Sequence, residues 1–481
     1  MKKTRLARTL ATLALSTAGL LAVFPTSGLG VAPATGVNCQ ADGKINGRGA
    51  TFQKVAADTF ANGFTADVCG PVPGGAAGNN MVIYNYPGIG TGSGQGQRAT
   101  ICRTDAFGGS DIPYDNATKA LFDGPPGVLG ALGGNCTPAV APPYTPNVAP
   151  FPAAADVAAP VMSFPVAGAS EVVGINIQAA NCTGPRPTAI QLTGAMISNL
   201  FQGDITNWND PALRVNPTGG AAINTALQTC NLPVKRVVRS DRSGTTQIYK
   251  NYLKNVDPTS IPTCGPTAPP LSATLTDYSW TSFAQDLNNQ LWPTGGGCTA
   301  LVTANGNAGV VAACADSVNN PGAICYADLA DISLPAGNPL IKSTVRNGTN
   351  TAFVAASVGT RANCNFGSVV TPGTGSAGAV GLDPADTWAF DNAAGNRSDV
   401  TNQGAGYPIC GLTFDMVYTG LNDGAVPNAI SGLNANQRRT LYSYMSYVLS
   451  SMGQDRLTTA RYQSLGTSLI STLRTGFQAG F

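Results

Sequence analysis

Four short stretches of the chain combine glycine with hydroxyl, guanidinium or carboxylate side chains. They are Lys44–Phe52 (KINGRGATF), Gly88–Gly96 (GIGTGSGQG), Phe107–Asp111 (FGGSD) and Arg239–Thr246 (RSDRSGTT). Each reads as a strand end or Gly-rich turn that feeds the start of a helix. A helix N-terminus offers free N–H groups and the positive end of the peptide dipoles, which suits an oxyanion. Glycine lets the backbone approach closely, Ser and Thr add donors, and Arg adds a two-pronged charge. One such stretch is an ordinary capped turn; four of them, with Arg and Asp among their side chains, point to anion binding.

The composition removes most alternatives. Of 481 residues none is His, and among 25 acids the only Glu is Glu171. A Ser-His-Asp triad, a His base, a His-ligated zinc, a HExxH helix and a paired-Glu glycosidase site are therefore excluded. Charged residues make up 11 % of the chain, well below the usual share of about 25 %. The 12 Cys form no CxxC, so no metal cluster or other cofactor is expected. In an exported chain they read as disulfides. Pairing between nearest neighbours is the working expectation, with Cys314–Cys325 as its first choice.

Export is expected from the first residues. Lys2, Lys3, Arg5 and Arg8 precede an apolar run from Leu10 to Phe24, and Ala32-Pro33-Ala34 offers a cleavage site. This is the plan of a signal peptide over residues 1–34, and the run is short for a membrane span of roughly 20 residues. Gly36-Val37-Asn38 before Cys39 is no lipobox, so neither a lipid anchor nor stable membrane insertion is expected after cleavage. Removal of the leader takes away four positive charges and leaves a net charge of −2. Nucleic acid and anionic membranes are poor partners for such a chain.

The elements that must position the Gly-rich turns follow from periodicity. Helical spacing appears at Phe52, Val55, Ala56 and Phe60, at Ile248, Tyr249, Tyr252 and Leu253, and at Leu441, Tyr444, Met445, Val448 and Leu449. Met81–Tyr86, Val172–Ile177, Val234–Arg239 and Leu412–Tyr418 read as strands. Their alternation predicts an α/β fold with a largely parallel sheet. Residues 124–160, 257–300 and 346–406 read as loops or insertions.

In these motifs the chain resembles the periplasmic phosphate-binding proteins of ABC-type phosphate importers, within the type II periplasmic-binding-protein superfamily. Gly47–Phe52 matches the family's opening GAGATF, Tyr86–Asp111 its YxGxGS…GG…DFGASD, and Arg239–Thr245 its RxDGSGT. Weaker matches are Phe201–Asp210, Asn307–Val311, Pro321–Tyr326 and Tyr462–Leu469. The resemblance implies two α/β lobes, each a mixed sheet flanked by helices, with the ligand cleft at the hinge. Residues 35–175 with 408–481 would form lobe one, and 176–407 lobe two.

The resemblance also implies roles. Thr51 and Phe52 would donate from hydroxyl and backbone N–H, and Ser93 from the Gly-rich turn, with Thr91 a competitor for that place. Arg239 would form charged hydrogen bonds, Asp241 would hold it, and Ser243, Gly244 and Thr245 would cap the anion from a helix start. Asp111 would select the ligand. An acceptor-only carboxylate repels sulfate, which has no proton at neutral pH, but receives the proton of phosphate. An ordinary N-cap is the other reading of Asp111. Arg48, Gln53 and Arg242 depart from the family pattern; Arg48 is expected to face solvent, and Arg242 is left open. Cys325 replaces a family Gly, as an added disulfide would require.

The expected function is capture of the phosphate ion in an interlobe cleft, without catalysis, for a membrane ABC transporter, by a periplasmic or secreted protein. A secreted phosphatase and an extracellular surface or matrix protein are the alternatives on the same fold.

Overall fold

The computed structural model describes residues 41–69, 81–85, 91–102, 104–112, 161–264, 278–284, 290–295, 297–333, 338–357, 364, 400–418 and 433–480. The leader, residues 86–90, the whole of 124–160 and much of the other two expected insertions lie outside them.

Twelve strands occur among the described residues: β1 (Ile45–Gly49), β2 (Val82–Tyr84), β3 (Phe107–Ser110), β4 (Val161–Ile175), β5 (Gln191–Leu192), β6 (Lys235–Arg239), β7 (Ala300–Ala304), β8 (Ala323–Asp328), β9 (Ile341–Lys342), β10 (Thr344–Arg346), β11 (Phe353–Ala355) and β12 (Cys410–Tyr418). The main sheet runs β2-β1-β3-β12-β4-β8-β6-β7, with β9 beside β4, and β11-β10-β5 forms a small second sheet. Pairing is parallel at both ends of the main sheet and antiparallel where β12 meets β3 and β4 and where β4 meets β8. The sheet is thus mixed rather than largely parallel.

The long strand β4 explains the difference. Its residues Val161–Ser170 pair with β12, and Glu171–Ile175 pair with β8. One strand therefore belongs to both halves of the sheet. Pro165 is tolerated inside it because the register shifts there, opposite Thr413/Phe414, and a bulge spares the ladder a missing N–H. The strands β8 and β12 are buried at every residue. Such unbroken burial replaces alternation when both faces of a sheet are covered.

The helices that matter for the site are α1 (Lys54–Phe64), α2 (Ser93–Ile101), α3 (Gly244–Val256), α4 (Gly306–Ala315), α5 (Leu329–Ser333) and α6 (Ala435–Val448). In one half Phe60, Phe64, Phe107 and Tyr444 pack together; in the other Phe201, Trp292 and the stacked pair Tyr249–Tyr326, 4.4 Å apart, do so. Helix α2 lies directly on β3. A Cβ added at Gly96 would stand 2.0 Å from the Gly109 carbonyl oxygen, so only glycine permits this approach.

Cys182–Cys230, Cys264–Cys298 and Cys364–Cys410 are bridged, each to its neighbour in sequence, and Cys69 and Cys102 are also disulfide-bonded. The expected Cys314–Cys325 bridge is absent: both are buried free thiols. They pack as small apolar groups with Val237, Val310 and Ala323. The Cys314 thiol donates to the Gly174 carbonyl at 3.7 Å, so Cys325 belongs to the core rather than to an added cross-link.

Candidate functional site

Chain segments from both halves of the sheet meet at the start of α2. The Ser93 hydroxyl, fully buried, accepts from the backbone N–H of Asp111 at 3.0 Å and from that of Gly244 at 3.1 Å, and lies 3.3 Å from Asp111 Oδ2. Asp111 follows β3 in one half, and Gly244 opens α3 in the other. A Cβ at Gly244 would meet Asp111 Cβ at 2.3 Å and Ser93 Oγ at 2.6 Å. A helix N-terminus therefore presses directly onto a carboxyl, an arrangement the dipole favours. Ser243 caps that helix, its Oγ accepting from Thr246 N–H at 3.2 Å.

Arg239 ends β6 and is 1 % exposed. Its Nε donates to Asp241 Oδ1 at 2.7 Å, and Nη2 donates to Asp241 Oδ2. Its Nη1 donates to Asn307 Oδ1 at 2.6 Å and to Thr245 Oγ1 at 3.3 Å. Asp241 is itself fixed by the Gly306 N–H at 3.1 Å. The fork is thus held from two sides, with little rotamer freedom left.

Among the buried groups at this junction without a hydrogen-bond partner of good geometry are the Thr51 hydroxyl and Asp111 Oδ1. One can donate and the other accept. Burial raises the Asp111 carboxyl to about 7, against the weaker pull of the Thr413 and Ser93 hydroxyls and of Arg239. Glu171 and Asp328, directly opposite each other across β4 and β8, are both pushed well above the usual range, chiefly by burial. Neither Glu171 oxygen has a hydrogen-bond partner. The Phe52 ring is buried, and its carbonyl accepts from the Tyr462 hydroxyl. Among the described residues no group of three or more His, Cys, Asp or Glu could hold a metal ion.

Residues 172–360 match the PBP superfamily domain. A solved structure of the phosphate-bound periplasmic phosphate-binding protein PfluDING is similar over 90 % of this chain and 93 % of its own, at 17 % identity and a TM-score of 0.52. The phosphate-binding protein of Stenotrophomonas maltophilia is similar over the same shares, at 17 % identity and a TM-score of 0.53. The fold is that of the type II periplasmic phosphate-binding proteins. Among curated proteins, the phosphate-binding protein PstS of Xylella fastidiosa is 27 % identical over 217 residues, 44 % of this chain and 41 % of that protein. PstS of Pasteurella multocida is 29 % identical over 175 residues, 36 % of this chain and 35 % of its own length. The chain thus spans about two-fifths of the length of such relatives.

Within this phosphate-binding-protein fold, the departures from the family pattern take definite places. Arg48 does not face solvent: it is 7 % exposed, and its Nη2 pairs with Asp105 Oδ2 at 3.1 Å. Asn46 donates to the same carboxylate. The reason lies in β1, whose residues are all buried, so a guanidinium there needs an internal partner. Gln53 accepts from the Tyr84 hydroxyl at 3.1 Å and donates to Asp415 at 2.5 Å. The Arg242 side chain lies against Gly94 at the start of α2. Thr91, half-buried, contributes no hydrogen bond to the cluster among the described contacts. Asn307, Asp328, Tyr462 and Glu171 are the members that motif reading did not single out for the site. The first and third stood only in weakly matching segments, and the other two carried no local signal.

Proposed function

We propose that the chain captures inorganic phosphate between the two halves of the main sheet, which act as two lobes, residues 35–175 with 408–481 and residues 176–407. The observation that carries this reading is the meeting of Ser93 and Asp111 with the Gly244 N–H and the Arg239 fork. Donors from one half and the α3 N-terminus from the other suit a tetrahedral anion. Thr51 Oγ1 supplies a further donor, and Phe52 N–H, Ser243 and Thr245 complete the ring. The unsatisfied Asp111 Oδ1 accepts the one proton that monohydrogen phosphate retains. A ligand that touches both halves favours the arrangement in which they are close.

The similarity to PstS proteins supports delivery to a membrane ABC transporter after export through residues 1–34. No helix among the described residues is long and apolar enough to cross a membrane. Titration calorimetry of the mature chain at pH 8 tests the reading. Tight phosphate binding with sulfate bound far more weakly is expected; absence of phosphate heat and of competition would end it.

A further inference from the structure

Asp328, at the end of β8, sits between the two halves of the site. Its Oδ1 accepts the Asp331 N–H at 2.6 Å. Its Oδ2 accepts from Asn307 Nδ2 at 3.1 Å and lies 3.3 Å from the Tyr462 hydroxyl oxygen. The proton inventory here is restrictive. Arg239 has only donors, so Asn307 turns its oxygen to the guanidinium and its NH2 to Asp328. The Tyr462 hydroxyl has one proton, and it goes to the Phe52 carbonyl, which has none. The contact between Tyr462 and Asp328 is then a hydrogen bond only if the proton in it belongs to Asp328.

We propose that Asp328 is a neutral carboxylic acid and a positioning residue for the anion site. Its proton ties it to Tyr462, which fixes the Phe52 peptide in one half. Its Oδ2 lone pair ties it to Asn307, which fixes Arg239 in the other. The chain Phe52–Tyr462–Asp328–Asn307–Arg239 therefore sets the separation of two groups assigned to the anion.

The surroundings agree. Asp328 is fully buried. The titratable groups around it are Glu171 on β4, Asp331 on α5 and Tyr462; Arg239 on β6 is reached through Asn307, and Arg239 and Lys54 act on Asp331. Burial and the charge of Asp331 favour the neutral form of Asp328, against the weaker pull of the Asp331 N–H and of Asn307. An ionised Asp328 would face the Tyr462 lone pairs and lose that tie.

Infrared difference spectroscopy of the full mature chain at pH 7, wild type minus Asp328→Asn, reads the proton directly and needs no ligand. Loss of a carboxylic-acid C=O band is expected; loss of carboxylate bands instead would overturn the proposal. Should Asp328→Asn fail to fold, Tyr462→Phe gives the same decision. It removes the acceptor, so the acid band moves to higher frequency, whereas an unchanged acid region overturns the proposal. Phosphate titration adds the positioning arm, which rests on the phosphate reading. Asp328→Asn, keeping a donor toward Tyr462, loses about 5-fold in affinity, and Asp328→Ala about 50-fold. Equal losses in the two variants would overturn the positioning role. If wild type binds no phosphate, the functional reading falls while the infrared result still decides the proton.

Discussion

Two arginines three residues apart on β6 are almost completely buried and have opposite surroundings. Arg236 donates to three backbone carbonyls, those of Phe201 at 2.8 Å, Pro293 at 2.9 Å and Thr299 at 2.8 Å. Burial lowers its guanidinium to about 10. Arg239 donates only to side chains, Asp241, Asn307 and Thr245. An odd offset along a strand sends the two to opposite faces. Backbone carbonyls cannot leave an arginine without breaking the fold, so Arg236 is cement. Side chains can share one with a ligand, so Arg239 suits the role of grip that the proposed function gives it. Burial of a charge alone does not mark a binding site; the kind of partner does.

The largest effect should come from the cement. Arg236→Ala strands three carbonyls and is expected to cost about 4 kcal/mol of unfolding free energy. Denaturant melts check this, and phosphate affinity of the folded fraction should hold. If affinity fell with stability intact, the contrast would be wrong. Arg239→Ala should instead weaken phosphate binding by at least ~100-fold, about 3 kcal/mol, with a smaller shift in the ligand-free melt than Arg236→Ala gives.

Asp111 sharpens the comparison through pH. Its carboxyl titrates at about 7 in the fold, against 3.8 ordinarily, so the folded protein holds the proton more tightly than the unfolded chain. Ligand-free stability is then full below about pH 4 and falls as pH rises through 7. Asp111→Asn should raise stability by a few kcal/mol at pH 8 and hardly at pH 3.5. Sulfate should compete better at pH 5.5 than at pH 8 in the wild type, because a neutral Asp111 can donate to it; the variant should lose that dependence. Thr51→Val carries the smallest effect, about 5-fold in phosphate affinity, read by the same titration.

Much of the candidate site was legible because the residues that converge there sit in short motifs whose chemistry is local: Arg239 with Asp241, Ser243 with Gly244, and the glycines around Ser93. The strands at Val234–Arg239 and Leu412–Tyr418 and the helix after Ser243-Gly244 were legible from periodicity, and they appear as β6, β12 and α3. What escaped depends on distant partners. Arg48 looked like a surface charge until the fold brought Asp105 to it. Cys314 and Cys325 looked like a bridge because they are close in sequence, yet they fill apolar space. Asp328 and Tyr462 are 134 positions apart, and no spacing rule links them. The extent of β4 was hidden as well, since Pro165 and small residues mask a strand that serves both halves.

Between Gly244 and Asp111 there is no room for a single methyl group. The least change a codon can make at that glycine is therefore a wedge. An alanine there would drive its methyl onto the Ser93 hydroxyl and the Asp111 carboxyl and force the two halves of the sheet apart at that point, while replacing no charged side chain and no residue of the hydrophobic core.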